Sequence, residues 1–79
     1  MENNETLNKV ADIIRKNVKQ ARLDITVNTS SADVKGWDSL QHMMIITEIE
    51  NDFSIKFDFL EILEMKSVGD ICNAINQHK

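Results

Sequence analysis

Proline is absent from this chain and cysteine occurs once. No proline-rich linker, repeat or low-complexity tract therefore divides it. One thiol, Cys72, cannot close an internal disulfide, and no Cys/His cluster offers a structural metal site. A reducing compartment, the cytoplasm, is the expected location. Long apolar runs are also missing. The longest, Met43-Met44-Ile45-Ile46, falls far short of the roughly 20 residues that cross a bilayer, so membrane insertion is not expected. The start, Met1-Glu2-Asn3-Asn4-Glu5, is polar and acidic where a signal peptide is basic and then apolar.

The 79 residues make room for one small domain, residues 1–79, since domains commonly run to about 100–150 residues. A chain this short buries only about 60–65% of its unfolded surface. A deep catalytic cleft that excludes water is hard to build from so little material. The balance tilts from enzyme to binding or carrier module.

Basic excess is lacking too. The formal charge is −4, and its distribution is uneven. Residues 1–38 hold six acids and six bases, whereas residues 39–79 hold seven acids against Lys56, Lys66 and Lys79. An acidic C-terminal half disfavours nucleic acid, whose affinity comes mostly from Lys and Arg on phosphates. It suits basic protein partners, or else it is a solvated face that aids solubility.

What is present is helical periodicity. Leu7, Val10, Ala11, Ile14, Val18 and Ala21 form a one-sided stripe, with Ile13 off it and Asn3, Asn4 or Thr6 as the expected cap. Residues 23–38 lose the period and form a long loop. A lone strand through Ile25 and Val27 has no partner, so Leu23, Ile25, Val27 and Val34 are expected to anchor the loop across the helices. A second helix is predicted from Ser39 to about Asn51 with Asp38 or Ser39 as N-cap. A short third, capped by Asp58, covers Phe59 to about Met65. The last opens on Ser67 with Asp70 three residues on, a capping box, and carries the stripe Val68, Ile71, Cys72 and Ile75. Cys72 on that stripe reads as a packed core thiol. The expectation is an all-α, four-helix bundle: three longer helices, one short one, and a long loop between the first two.

The second helix has two apolar faces. At roughly 100° per residue, His42, Ile45, Ile46, Ile49 and Phe53 share a core stripe. Leu40, Met43, Met44 and Thr47 cluster on another side, where a helix lying on a small core should be polar. Either the long loop covers this face or it is a docking surface. Docking is preferred, because a serine at the helix start lies beside it and flexible methionines adapt to several partners. His42 points to the seam with the core, where hydrogen-bonded packing is the ordinary reading and metal ligation is not expected.

Gly36-Trp37-Asp38-Ser39-Leu40 sets a hydroxyl at a loop-to-helix junction, where unpaired N–H groups and the helix dipole favour anions. A phosphodiester on that serine meets a favourable field; the plainer reading is a helix cap. In this context Asp38-Ser39-Leu40 resembles the attachment motif of acyl carrier proteins. The likeness continues through Ile49-Glu50-Asn51-Asp52-Phe53-Ser54-Ile55 and Met65-Lys66-Ser67-Val68-Gly69-Asp70-Ile71, and covers essentially the whole chain.

The resemblance implies a carrier and not a catalyst. Ser39 is to receive 4′-phosphopantetheine from coenzyme A through a phosphopantetheinyl transferase, and the arm's thiol is to hold an acyl group as a thioester. Asp38 is to help the transferase position magnesium and coenzyme A. Leu40, Met43, Met44, Thr47 and Glu48 form the implied docking face for the transferase, the acyl-loading and acyl-transferring enzymes and the synthases. Ile46, Ile49, Phe53 and Ile62 are candidate walls of an acyl pocket. A carrier that meets many enzymes keeps this face free, which points to a monomer.

The chain also departs from the family pattern. Gln41 and Met44 stand where fatty-acid carriers commonly have acids, leaving Glu48, Glu50 and Asp52 further along. That points to apolar docking and to a specialised polysaccharide, polyketide or natural-product pathway beside the fatty-acid alternative. Asp38, not His, before the serine argues against a peptidyl carrier. An aminoacyl or D-alanyl carrier, or an unmodified helical interaction module, are the other readings.

Overall fold

Among the described residues four helices follow one another without a strand between them. The structure, a computed structural model, describes residues 2–78. Helix α1 is Glu2–Val18, α2 is Ser39–Phe53, α3 is Phe59–Glu64 and α4 is Val68–His78, with a single 3₁₀ turn, Ser31–Asp33, in the long connection. This is the expected small all-α bundle.

Helix α1 packs against both α2 and α4. Its buried arc is wider than one stripe, and Ile13 joins Val10, Ala11 and Ile14 in the core. Thr6 is buried within α1, whose bounds, Glu2–Val18, also take in positions 3 and 4, so the helix starts ahead of the expected caps. The helix stops at Val18 because Lys19 turns left-handed (φ 60°) and the Gln20 amide donates back to the Arg15 carbonyl at 3.0 Å. That is a Schellman closure. It leaves Ala21 beyond the helix and exposed.

Helix α2 ends the same way, two residues later than expected. Ser54 is left-handed (φ 58°), its amide reaches Glu50, and the Ile55 amide reaches the same carbonyl at 3.0 Å. Ile45, Ile46 and Ile49 are buried on the core side and share one cluster with Val68, Ile71, Cys72 and Ile75 of α4. Full burial of each such side chain contributes about 1.5–3 kcal/mol. Phe53 is only half-buried and lies under the Lys9 ammonium at 5.4 Å.

The long loop is pinned by its backbone as much as by its side chains. Ile25, Val34 and Trp37 are buried and Leu23 half-buried, but Val27 is 46% exposed. Val27 serves through its carbonyl, which accepts the Gly69 amide at 2.8 Å, while Thr29 O accepts the Val68 amide at 2.8 Å. The loop thus supplies acceptors for the first N–H groups of α4, which have no intrahelical partner. Ser30 and Ser67 form one antiparallel bridge, and Ser31 donates to the Lys66 carbonyl. The Ser67–Asp70 capping box is formed, with amide-to-side-chain bonds of 3.2 and 3.1 Å.

Candidate functional site

Ser39 is set in place by the residues just before it. Gly36 adopts φ +93°, a conformation that suits glycine. Its turn lets Val34 and Trp37 bury while the chain emerges at Asp38. Asp38 is the N-cap: its carboxylate accepts the Gln41 amide at 2.9 Å, and its carbonyl accepts the His42 amide at 2.8 Å. Ser39 is therefore the first residue of α2, and it is exposed. Among the described residues its hydroxyl has no hydrogen-bond partner, since the capping role is taken by Asp38. The amides of Ser39 and Leu40 precede the first helical bonds and carry the positive end of the dipole.

Below the serine, Trp37, His42 and Ile62 form a short relay. The indole Nε1–H donates to His42 Nδ1 at 3.1 Å. An indole only donates, so Nδ1 accepts and the ring proton sits on Nε2. That nitrogen donates to the Ile62 carbonyl at 3.2 Å. The half-buried histidine is hydrogen-bonded packing, and it ties α2 to α3.

In front of this relay lies an open cleft of about 820 Å³, bordered by Ser30, Ser31 and Lys66 on one rim, Ser39 and Met43 on the other, with Trp37, His42, Ile62 and Met65 beneath. Of the four candidate acyl-pocket residues the structure brings only Ile62 to this cleft. Ile46 and Ile49 are sealed in the core, and Phe53 lies at the far end of α2.

The second face of α2 is open, and the loop does not cover it. Leu40 is 68% exposed and Met44 49%, with Met43 and Thr47 exposed beside them. Thr47 turns its hydroxyl back to the Met43 carbonyl at 2.8 Å. Glu48 lies at the edge and is engaged with α1, paired with Lys16 and accepting Asn17 Nδ2 at 3.1 Å. These bonds, the one to Lys16 foremost, hold its carboxyl below the usual range. Glu50 is likewise engaged, accepting the Phe57 amide at 2.8 Å.

Sequence reasoning predicted α3 with its Asp58 cap but missed the apolar surface it exposes. Phe59, Leu60 and Leu63 expose 66%, 70% and 56% of their surface, and Leu63 lines the same cleft. The signal was there: Phe59-Leu60-Glu61-Ile62-Leu63-Glu64 is four apolar residues in six, more than one buried face of a single-turn helix can take. Only Ile62 of the four is buried.

A family model described as the phosphopantetheine attachment site matches residues 8–75. The chain belongs to the acyl carrier protein family. An acyl carrier protein of Rickettsia bellii is 34% identical over 71 residues, spanning 90% of this chain and 83% of that one. One from Clostridium acetobutylicum is 34% identical over 70 residues, spanning 89% and 91%. The solution structure of the holo acyl carrier protein from Geobacter metallireducens superposes with a TM-score of 0.84 at 33% identity, covering 92% of this chain and 84% of that one.

The family's prosthetic group is 4′-phosphopantetheine, and the residues present fit it. The exposed, unpartnered Ser39 hydroxyl offers an oxygen for a phosphodiester, the free amides beside it suit the phosphate's charge, and the adjoining cleft gives the arm room.

Proposed function

We propose that Ser39 is the attachment point and that this single domain carries acyl groups as thioesters on the arm. A transferase brings the Ser39 oxygen onto the phosphorus of the pantetheine phosphate of coenzyme A. The P–O–P bond breaks, adenosine 3′,5′-bisphosphate leaves, and the hydroxyl proton passes to the transferase's base. When bound, the group supplies a thiol that holds the acyl chain as an activated ester. The chain's own residues bind and orient. Asp38 fixes the helix start with one carboxylate oxygen and offers the other to the transferase's magnesium. Leu40, Met43, Met44 and Thr47 dock the enzymes that load and unload the arm, with Glu48 at their edge.

The observation that carries this reading is the coincidence, at one helix end, of a free hydroxyl, unpaired amides and an uncovered apolar face. Among the described residues no helix is long and apolar enough to cross a membrane. The setting proposed with this reading is that of a monomeric, cytoplasmic carrier. The sparse free acids on α2 favour a specialised pathway over bulk fatty-acid synthesis.

Incubation with coenzyme A, magnesium and a broad-range transferase is expected to add one phosphopantetheine to the intact mass. Ser39→Ala is expected to gain nothing. A bare polypeptide after treatment, or an adduct at another residue, overturns the proposal.

A further inference from the structure

Resting on the carrier reading, we infer that this protein displays its acyl group in the open cleft and does not bury it between the helices, so that its cargo is a short acyl group. The seam between α2 and α3 is where an acyl chain folding back from Ser39 would enter the core. His42 bridges that seam, with Nε2 on the Ile62 carbonyl and Nδ1 under the Trp37 indole. Trp37 is itself buried, so the imidazole is held from behind as well as in front. The core beyond has no opening among the described residues: Ile45, Ile46, Ile49, Ile71 and Ile75 are each at most 1% exposed.

To admit an alkyl chain the bridge must break. Ile62 O keeps the Met65 amide at 3.2 Å, but the histidine N–H loses its protein acceptor, and packed isoleucines must part. Unmaking a half-buried hydrogen bond and opening a cavity are both unfavourable, and only many buried methylenes offset them. A short acyl group offers few. The cleft in front is already open, has an apolar floor, and borders Ser39. A short group rests there at no such cost. His42 acts here as a specificity-determining residue through the bridge it makes.

The test loads wild-type protein and His42→Ala with acetyl- or octanoyl-pantetheine, from the two acyl-coenzyme A compounds and a broad-range transferase. Intact mass confirms each adduct. Thioester cleavage by hydroxylamine and the methyl NMR signals of Ile46 and Ile49 then report where the chain lies. In wild type, both thioesters are expected to cleave at the same rate, with the two methyl signals unmoved. In His42→Ala, octanoyl is expected to cleave several-fold more slowly than acetyl and to shift both methyls. Protection of octanoyl in wild type overturns the inference while leaving the carrier reading intact, and needs no variant that folds. An octanoyl chain that stays open to attack in both proteins removes His42 as the barrier. Failure to form either adduct overturns the carrier reading, and this inference with it.

Discussion

The Gly69 amide donates to the Val27 carbonyl at 2.8 Å, and a β-carbon on residue 69 would stand 3.0 Å from that same oxygen. Glycine at an exposed helix position is ordinarily worse than alanine by about 0.5–1 kcal/mol. Here the sign is expected to reverse. Gly69→Ala should push the loop off the start of α4 and cost about 1 kcal/mol, in the range of a mild overpacking. Thermal unfolding should fall by roughly 4–8 °C for a domain of this size. An increase in Tm would show that the loop yields freely.

Gly36→Ala tests the turn that delivers Ser39. The added methyl meets Val18 only at an ordinary 3.7 Å, so any cost comes from φ +93°. A loss of more than about 1 kcal/mol is expected in urea unfolding. Gly36→Asn, which tolerates positive φ better, should lose less.

Glu48 gives the fold a pH dependence whose sign follows from its partners. Pairing with Lys16, and then the bond from Asn17, lowers its folded pKa below the ordinary 4.5. Its contribution is thus present above about that value and disappears as pH falls through the folded pKa. Glu48→Gln should destabilise at pH 7 by at most about 1 kcal/mol, less in high salt, and should be indistinguishable from wild type at strongly acid pH. Glu61 shifts the same way, through the Asp58 amide first and His78 second.

Burial pushes the Cys72 thiol up from its ordinary 9.0. The native protein should resist a disulfide-exchange reagent that labels it fully in urea. As pH rises past the unfolded thiol's value, the unfolded chain loses a proton that the folded one keeps, so stability declines. Rapid labelling of the native state would place the thiol outside the core.

Docking is tested on the transferase. Leu40→Ala and Met43→Ala should each raise its KM for the carrier by roughly tenfold, the equivalent of a well-placed apolar anchor. Met44→Glu should alter KM without lowering Tm, since that side chain is half exposed. Kinetics indifferent to all three would mean that partners approach by another face.

Periodic apolar stripes made the helices legible. Asp38, Asp58 and the Ser67–Asp70 pair marked their starts, because caps are side-chain chemistry. The helix ends were less legible: Lys19 and Ser54 close α1 and α2 in a conformation usually left to glycine. Ile13 was misplaced because one helix facing two neighbours buries more than one stripe. The hold of the loop on α4 runs through the carbonyls of Val27 and Thr29, and backbone bonds leave no residue signature. At the site, the uncovered face of α2 could be anticipated from spacing, and the place of Ser39 at a helix start from the motif around it. The contact of His42 with Ile62, 20 residues apart, needed the fold.

The indole below Ser39 is the chain's single tryptophan. The protein thus contains one indole fluorophore, two residues from the Ser39 hydroxyl and hydrogen-bonded to the imidazole one turn beyond it. Its emission offers a label-free signal for events at that end of the molecule, uncontaminated by any second indole.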